Sequence, residues 1–296
     1  MRQQIKIGIC VAYDWYLLEY ALPLLYEEAD LICLSIDSSR LSWSQQPYAW
    51  DELGFQKLID KIDTQNKIRR FEANFHNPDF TPAQNEVDQR RRMADHMQPG
   101  GWHIQLDCDE YFLDFKGFVR YLQSLSPSRS RSINVCCPLI TLFKKIDGGY
   151  LWIQPDHRDR VEFIQIASLE PAFDHGRRNG LFNLYTDFVL LHQSWARSEE
   201  EIADKIKNWG HKNDFNTQDY FLKWKLLGEG NFQEMKNFHP IAPEIWSSLV
   251  LAPGDTIADI IRNPPAINLF WSPTDFAVKN NRTLSRIKGL WHKITR

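Results

Sequence analysis

Four strand-like segments, separated by segments with helical spacing, constrain the fold of this chain most strongly. Ile5–Tyr13 and Leu31–Ile36 are nearly continuous apolar runs, and Lys67–Phe71 and Trp102–Leu106 are two shorter predicted strands. The helical segments between them are Trp15–Glu28, Asp51–Ile62 and Asn85–Met97, the last opened by a Thr-Pro pair at 81–82. Continuous apolar runs of this length are typical of parallel strands that are buried on both faces. The β-α-β-α-β-α-β order therefore predicts an α/β fold, with an open sheet flanked by helices.

The second half of the chain lacks this alternation, and its pattern predicts strands separated by polar loops, followed by two helices. The predicted strands are Ile133–Leu142, Tyr150–Ile153, Val161–Ala167 and Leu184–Leu191, and the helices are Ser198–Trp209 and Thr217–Leu227. No composition break separates the two halves, so we predict a single domain over residues 1–278. It consists of an N-terminal half (1–125) and a C-terminal half (126–278), and a basic tail (279–296) follows it.

Composition excludes several classes of protein. Hydrophobic residues make up 43% and charged residues 25% of the chain, as in soluble globular proteins. A formal net charge of −3 gives no general attraction to polyanions, so we expect no nucleic acid partner. Five cysteines without metal-site spacing fit a reducing compartment. With no signal-peptide pattern and no apolar run of membrane-spanning length, the sequence predicts a cytoplasmic protein.

Acidic residues follow three of the predicted strands. Asp14, Asp37 and Asp107 each stand where a strand ends, and ligands of open α/β sheets bind at that edge. Asp107 and Asp109 are two residues apart and face the same side of an extended chain. Two such close carboxylates repel each other unless a hard cation lies beside them, which predicts Mn²⁺ or Mg²⁺. A solvated acidic turn is the alternative, because D-x-D is a short pattern.

Two blocks of sequence resemble a known family. The run Gly101–Glu110 (GWHIQLDCDE), preceded by an Arg-Arg pair at 90–91, resembles the approach to the D-x-D motif of GT-A fold glycosyltransferases, in particular glycosyltransferase family 2 and its relatives. The block His192–Glu201 (HQSWARSEEE), continuing to Lys205, resembles a later element of that family. The resemblance covers about residues 5–224. The family's Asp-Asp-Gly-Ser type of pattern after the second strand is replaced here by Asp37-Ser38-Ser39.

The resemblance implies a GT-A type open mixed sheet and a metal-dependent sugar transfer. The donor would be a nucleotide-diphosphate sugar bound by the N-terminal half. The acceptor would be a carbohydrate or a lipid-linked molecule bound by the C-terminal half, as in surface polysaccharide or glycolipid assembly. The implied metal ligands are Asp107, Asp109 and His192, and the implied donor-binding residues are Asp14, Asp37, Arg91 and Asp107. A strand-end histidine bonded to a backbone carbonyl is the alternative for His192.

An inverting transferase also needs a base for the acceptor hydroxyl. Candidates cluster in the loop Glu170–Gly180, where glycines, a proline and charged residues are typical of functional loops. We predict Asp174 as the catalytic base; a structural turn held by Asp174 and Arg177 is the alternative.

The tail 279–296 carries six basic side chains and no acidic one, with apolar residues at helical spacing. A basic amphipathic helix suits an anionic membrane surface, which predicts peripheral contact with the inner membrane face. A terminal helix packed on the domain is the alternative.

Two other functions are compatible with the sequence. One is a nucleotide- or carbohydrate-binding protein that keeps the sheet without turnover. The other is a metal-dependent phosphohydrolase that uses the D-x-D aspartates, although such enzymes place that motif after the first strand, and here it follows the fourth.

Overall fold

The computed structural model describes residues 2–126, 133–208 and 215–284 of the 296-residue chain. Strands and helices alternate in the N-terminal half because apolar, β-branched runs alternate with amphipathic segments. The elements there are β1 (Ile5–Val11), α1 (Leu18–Leu25), β2 (Leu31–Asp37), α2 (Glu52–Ile62), β3 (Ile68–Ala73), α3 (Pro82–His96), β4 (Trp102–Asp107), β5 (Glu110–Phe112) and α4 (Phe115–Ser124).

The C-terminal half is rich in strands. Its elements are β6 (Ile133–Ile146), β7 (Gly149–Gln154), β8 (Phe163–Ser168), β9 (Phe182–Tyr185), β10 (Leu190–His192), α5 (Glu199–Asn208), α6 (Thr217–Leu226), β11 (Ser248–Pro253), α7 (Ile257–Arg262) and α8 (Pro273–Lys279). The first turns of α7 and α8 are each closed by a capping box, from Thr256 and Ser272 respectively.

The strands form one mixed, open sheet in the order β11-β7-β6-β8-β4-β1-β2-β3. The four strands β4, β1, β2 and β3 run parallel, and every pairing from β4 to β11 along this path is antiparallel. The strand β1 lies between β2 and β4, so that Gly8 faces Cys33 on one side and Gln105 on the other. The carboxyl ends of β1, β2 and β4 therefore meet at one edge.

Helices cover both faces of the parallel half. Alternate residues of β1 (Ile5, Ile7, Ile9, Val11) join the main core with α1, α2 and α4. The opposite face carries Cys10 and Cys33, which pack with Met93 and Met97 at the end of α3. Gly8 permits this close approach, because a Cβ atom there would lie 2.7 Å from the Met93 Cε.

A short ladder beside the main sheet positions the candidate site. β5 and β10, three residues each, pair antiparallel with Glu110 opposite His192, and β10 also pairs with β6. The Gln193 N–H donates to the Asp109 carbonyl at 2.9 Å, which extends this ladder. His192, from the second half of the chain, is thereby held beside the D-x-D segment.

The structure confirms the predicted fold class, an α/β fold with an open mixed sheet flanked by helices, and it corrects one strand. The single strand predicted over Leu184–Leu191 is wrong: β9 ends at Tyr185 and β10 begins at Leu190. Both strands pair with β6, but Tyr185 lies opposite Cys136 and Leu190 opposite Leu139, so the chain between them is longer than the matching part of β6 and leaves the ladder. The predicted domain bounds stay predictions, and residues 285–296 of the basic tail lie outside the described residues. Within the described parts of the chain, no helix has the length and apolar character to cross a membrane.

Candidate functional site

A cavity of about 560 Å³ opens at the carboxyl ends of β1, β2 and β4. The N-terminal half lines it with residues from the ends of these strands, the loop after β2 and the first turns of α3. The C-terminal half lines it with residues of β6, β10 and α5. Six carboxylates lie in its wall: Asp14, Asp37, Glu86, Asp107, Asp109 and Glu162. The structure thus brings the predicted Asp14, Asp37, Asp107, Asp109 and His192 to one cavity.

Three basic side chains, from β10, the loop after it and α5, converge on Asp109. Its Oδ2 lies 2.5 Å from Arg197 Nη2, 3.4 Å from His192 Nε2 and 3.9 Å from Lys205 Nζ. Arg197 Nη2 also contacts Asp14 Oδ2 at 3.0 Å, which links the end of β1 to the same cluster. Burial alone would raise the pKa of Asp109, but His192, Arg197 and Lys205 together hold it well below its usual range. Asp109 is therefore ionised in this cluster.

Lys205 adds a second positive charge at this end of the cavity. Its Nζ donates to Ser194 Oγ at 3.1 Å, and the side chain is 14% exposed. Burial lowers the pKa of Lys205 to about 8, although Asp109 and Asp14 oppose this shift. The ammonium group is charged at neutral pH and lies close to its deprotonation range.

Asp107 has different partners from Asp109. Its Oδ1 accepts from Arg90 Nη2 at 2.8 Å, and its Oδ2 accepts from Arg177 Nη2 at 2.7 Å. Arg177 also forms a fork with Glu110, with both nitrogen–oxygen distances at 2.9 Å. Burial would raise the pKa of Asp107, but Arg90 and Arg177 lower it, whereas burial dominates at Glu110 and raises the pKa there. Both oxygens of Asp107 are thus engaged by guanidinium groups.

Asp37 holds the loop that follows β2. Its Oδ1 accepts from the N–H groups of Ser39 (2.9 Å) and Leu41 (3.1 Å), and its Oδ2 accepts from the Phe75 N–H at 2.8 Å. The loop carries Trp43 and Tyr48 into the cavity wall. The Trp43 indole N–H is fixed by Gln89 Oε1 at 2.6 Å. The prediction that Asp37 contacts a nucleoside stays a prediction; in this structure the carboxylate shapes the loop.

The predicted divalent metal has a partial ligand set here. Among the described residues, no group of three or more His, Cys, Asp or Glu side chains is placed to hold a metal ion. Asp109 and His192 nevertheless face each other in the cavity wall at 3.4 Å. Mg²⁺ is usually bound by one or two carboxylates together with substrate phosphates and water. Asp109 is itself bonded to Arg197 through Oδ2, so its other oxygen and His192 are the ligands left for such a site; Asp107, with both oxygens bonded to arginines, fits less well.

Two predicted site residues lie away from the cavity. Arg91 is exposed on α3, and its Nε donates to the Phe173 carbonyl. Asp174 is exposed in the loop after β8, where its N–H bonds to the Arg178 carbonyl in a tight turn. Neither residue lies in the cavity wall. Their proposed roles, in donor binding and as the catalytic base, remain untested predictions.

Four residues at the site were not assigned a role by sequence reasoning. Arg90 and Arg177 bracket Asp107, Lys205 approaches Asp109, and Glu162 lines the cavity just before β8. A signal existed for Arg90, because it is buried on a helix with Glu86 one turn before it, 3.0 Å from its Nε. The sequence places Arg177 in the polar loop 170–180 but gives no sign of its contact with Asp107, and nothing in the sequence around Glu162 distinguishes it from an ordinary loop residue.

Comparison with known proteins does not indicate a function for this chain. No protein-family model matches the chain, and no curated protein matches it. Several solved structures match weakly, among them mannose-1-phosphate geranyltransferase from Thermus thermophilus. That match has 11% sequence identity and a TM-score of 0.24, and it covers 57% of this chain and 51% of the other. The chain thus spans about half the length of that protein, and the likeness is too weak to indicate a function.

Proposed function

We propose that this protein transfers a sugar from a nucleotide-diphosphate sugar to a hydroxyl group of a carbohydrate or lipid-linked acceptor. One observation carries the proposal: Arg197, Lys205 and His192 converge on Asp109 in a cavity at the carboxyl ends of the parallel strands. Ligands of open α/β sheets bind at this edge. The resemblance to family 2 glycosyltransferases supports the same interpretation, together with a role in surface polysaccharide or glycolipid assembly.

The convergent cations suit a diphosphate. A guanidinium and an ammonium group form strong, charge-assisted hydrogen bonds with phosphate oxygens. Arg197 is 2% exposed, and Lys205 is 14% exposed, so a phosphate that binds them meets cations already stripped of most water. Mn²⁺ or Mg²⁺ held by Asp109 and His192 would supply further positive charge for the leaving diphosphate. The cluster thus favours departure of a nucleoside diphosphate.

The loop after β2 supplies the nucleoside end of the proposed site. Trp43 and Tyr48 offer flat apolar surfaces beside Asp37, and Asp37 fixes the loop through three backbone N–H groups. The Tyr48 hydroxyl is buried, and no hydrogen-bond partner for it lies among the described residues. A ribose or base hydroxyl or amide group would satisfy it. In this proposal the nucleoside lies at the Trp43 end of the cavity and the diphosphate at the Asp109 end.

The test is calorimetric titration with UDP, GDP, dTDP and CMP, each with and without Mn²⁺. We expect micromolar binding of one diphosphate, strengthened by the metal, and we expect Asp109→Asn to weaken that binding at least tenfold. Asp95→Asn on the exposed end of α3 is the matched control and should bind as the unchanged protein does. No binding of any nucleotide would refute the proposed function, and equal binding by Asp109→Asn would refute this assignment of the site. Release of sugar from a bound donor then distinguishes a transferase from a binding protein without turnover.

A further inference from the structure

We infer that Glu162 is the catalytic base for the acceptor hydroxyl, and that Glu162 and Trp246 form the acceptor end of the cavity. This inference rests on the proposed function and adds to it the residue that accepts the proton. It also implies that the reaction inverts the anomeric configuration, because a base of this kind activates a direct attack on the sugar carbon.

The other carboxylates in the cavity wall are already engaged. Asp14 bonds to Arg197, Glu86 to Arg90, and Asp107 to two arginines. Asp37 accepts three backbone N–H groups, and Asp109 bonds to Arg197. Among the described residues, no lysine, arginine or histidine forms an ion pair with Glu162, although His192 lies near enough to influence its pKa. A base must be free to take up a proton, and Glu162 is the one of these six carboxylates that has neither an ion pair nor a set of backbone N–H donors among the described residues.

The backbone directs the Glu162 side chain into the cavity. Its carbonyl accepts from the Leu139 N–H of β6 at 2.9 Å, which fixes its place at the start of β8. The next residue, Phe163, packs against Tyr185 and Trp271, with ring centroids 5.1 and 4.7 Å apart. Successive side chains of a strand point to opposite faces. Since Phe163 is held on one face by this aromatic cluster, Glu162 is held on the other, where the cavity lies.

The acceptor end of the cavity contains a group that can take up a proton, the Glu162 carboxylate, and a hydrogen-bond donor, the Trp246 indole N–H. Trp246 lines the same wall and is 5% exposed, and its indole N–H faces the Glu162 carboxylate closely enough to lower the pKa of that carboxylate, although the pair does not reach strict hydrogen-bond geometry. A ligand hydroxyl that accepts from this buried N–H would therefore lie beside the Glu162 carboxylate. Burial also raises the pKa of Glu162, while Trp246 and His192 partly oppose this shift. A carboxylate of raised pKa is a stronger base than an ordinary surface glutamate.

The proposed reaction is a direct displacement at the anomeric carbon of the donor sugar. The acceptor hydroxyl gives its proton to the Glu162 carboxylate as its oxygen forms a bond to the anomeric carbon. The bond between that carbon and the diphosphate oxygen breaks, and the nucleoside diphosphate leaves with the electron pair. Arg197 and Lys205, at the Asp109 end of the cavity, stabilise the negative charge that develops on the leaving group. Glu162 ends protonated and returns its proton to water.

The experiment compares the full-length protein with Glu162→Gln. The probes are the sugar donors of whichever diphosphate binds in calorimetry, with water, glycerol and methyl hexosides as acceptors, and the readout is release of the diphosphate. We expect Glu162→Gln to lower kcat by about 100- to 10,000-fold. We expect its Kd for the nucleoside diphosphate to stay within about twofold of the unchanged protein, and the acidic limb of the pH–rate profile to disappear. Glu162→Asp, which keeps the carboxylate, should fall between the two.

Two controls make the outcomes distinct. Asp159→Asn, an exposed carboxylate three residues earlier, should leave kcat and Kd unchanged. Thermal unfolding of each variant excludes loss of fold as the cause. Normal diphosphate binding with kcat unchanged in Glu162→Gln would overturn the assignment, as would a product of retained anomeric configuration. Absence of nucleotide binding or of turnover by the unchanged protein would instead overturn the proposed function itself.

Discussion

Replacing Arg177 by Met tests whether the buried fork between Arg177 and Glu110 holds the loop after β8 on the sheet. The Arg177 side chain is 5% exposed and that of Glu110 is 2% exposed, so the change leaves a carboxylate buried without its partner. Breaking a buried ion pair in this way costs about 3–5 kcal/mol. Loss of the ion pair between Arg177 and Asp107 adds little to this cost, because Asp107 is 32% exposed and still has its ion pair with Arg90. We expect the free energy of unfolding to fall by that amount, and Tm by roughly 10 °C.

The loss should depend on pH in a defined direction. Burial raises the pKa of Glu110 even beside Arg177, and removal of the guanidinium raises it further. An acid whose pKa is higher in the folded state than in the unfolded chain destabilises the fold when it is ionised. This cost is absent below the pKa that Glu110 has in the unfolded chain. It grows as the pH rises towards the higher pKa that Glu110 has in the folded protein. The difference between the variant and the unchanged protein should therefore be smaller at pH 5 than at pH 8.

The assay is urea unfolding followed by tryptophan fluorescence at both pH values. Arg178→Met, on the exposed neighbour, is the matched control and should change stability by less than about 0.5 kcal/mol. The double variant Arg177→Met with Glu110→Gln should recover part of the loss, because position 110 then carries no unpaired buried charge. A loss below about 1 kcal/mol at pH 8, or an equal loss at both pH values, would refute the reasoning.

Two further predictions concern the cavity. Lys205→Met should weaken binding of the nucleoside diphosphate by about 10- to 100-fold, the value of one hydrogen bond to a charged group. Because the pKa of Lys205 is about 8, calorimetry of the unchanged protein should show affinity falling from pH 7 to pH 9, and the variant should lack that part of the fall. Asp37→Ala should cost about 1–3 kcal/mol in chemical unfolding, because three backbone N–H groups lose their acceptor; Asp79→Ala, on an exposed turn, serves as its control, and equal stability of the two would contradict this role for Asp37.

The parallel half of the fold follows from the sequence because its signals are local and long. The strand β1 is buried along its whole length and β2 from Ile32 onwards, so their apolar runs leave little choice of structure. The cap of α3 is visible as Thr81 with Gln84 three residues later, and the structure forms this capping box. The position of Asp14, Asp37 and Asp107 at one edge follows from the parallel topology, which these local signals determine.

The rest depends on contacts between distant residues. The strands β5 and β10 have three residues each, too few to show any periodicity, and their pairing decides where His192 lies. The partners of Asp107 come from α3 and from a loop, and neither partnership leaves a trace in local composition. The sequence pattern favours Asp174 as a base because it stands in a polar, glycine-containing loop, whereas Glu162 directly precedes an ordinary strand and carries no such signal. Only packing around Phe163 shows where Glu162 points.

The ion pairs of the site also determine at which point during synthesis of the chain the site can form. Arg177 meets Asp107 from 70 residues away, Arg197 meets Asp109 from 88 residues away, and Arg197 meets Asp14 from 183 residues away. A ribosome therefore makes the whole parallel half while the acidic ends of β1 and β4 still lack those countercharges. Until then, the carboxylates at the ends of β1 and β4 stay exposed to water in the nascent N-terminal half. The ion pairs at this edge of the sheet form only after the chain has been made past Lys205. The cavity therefore cannot become native before the C-terminal half is made, and a chain truncated before Arg177 has its acidic strand ends without these partners.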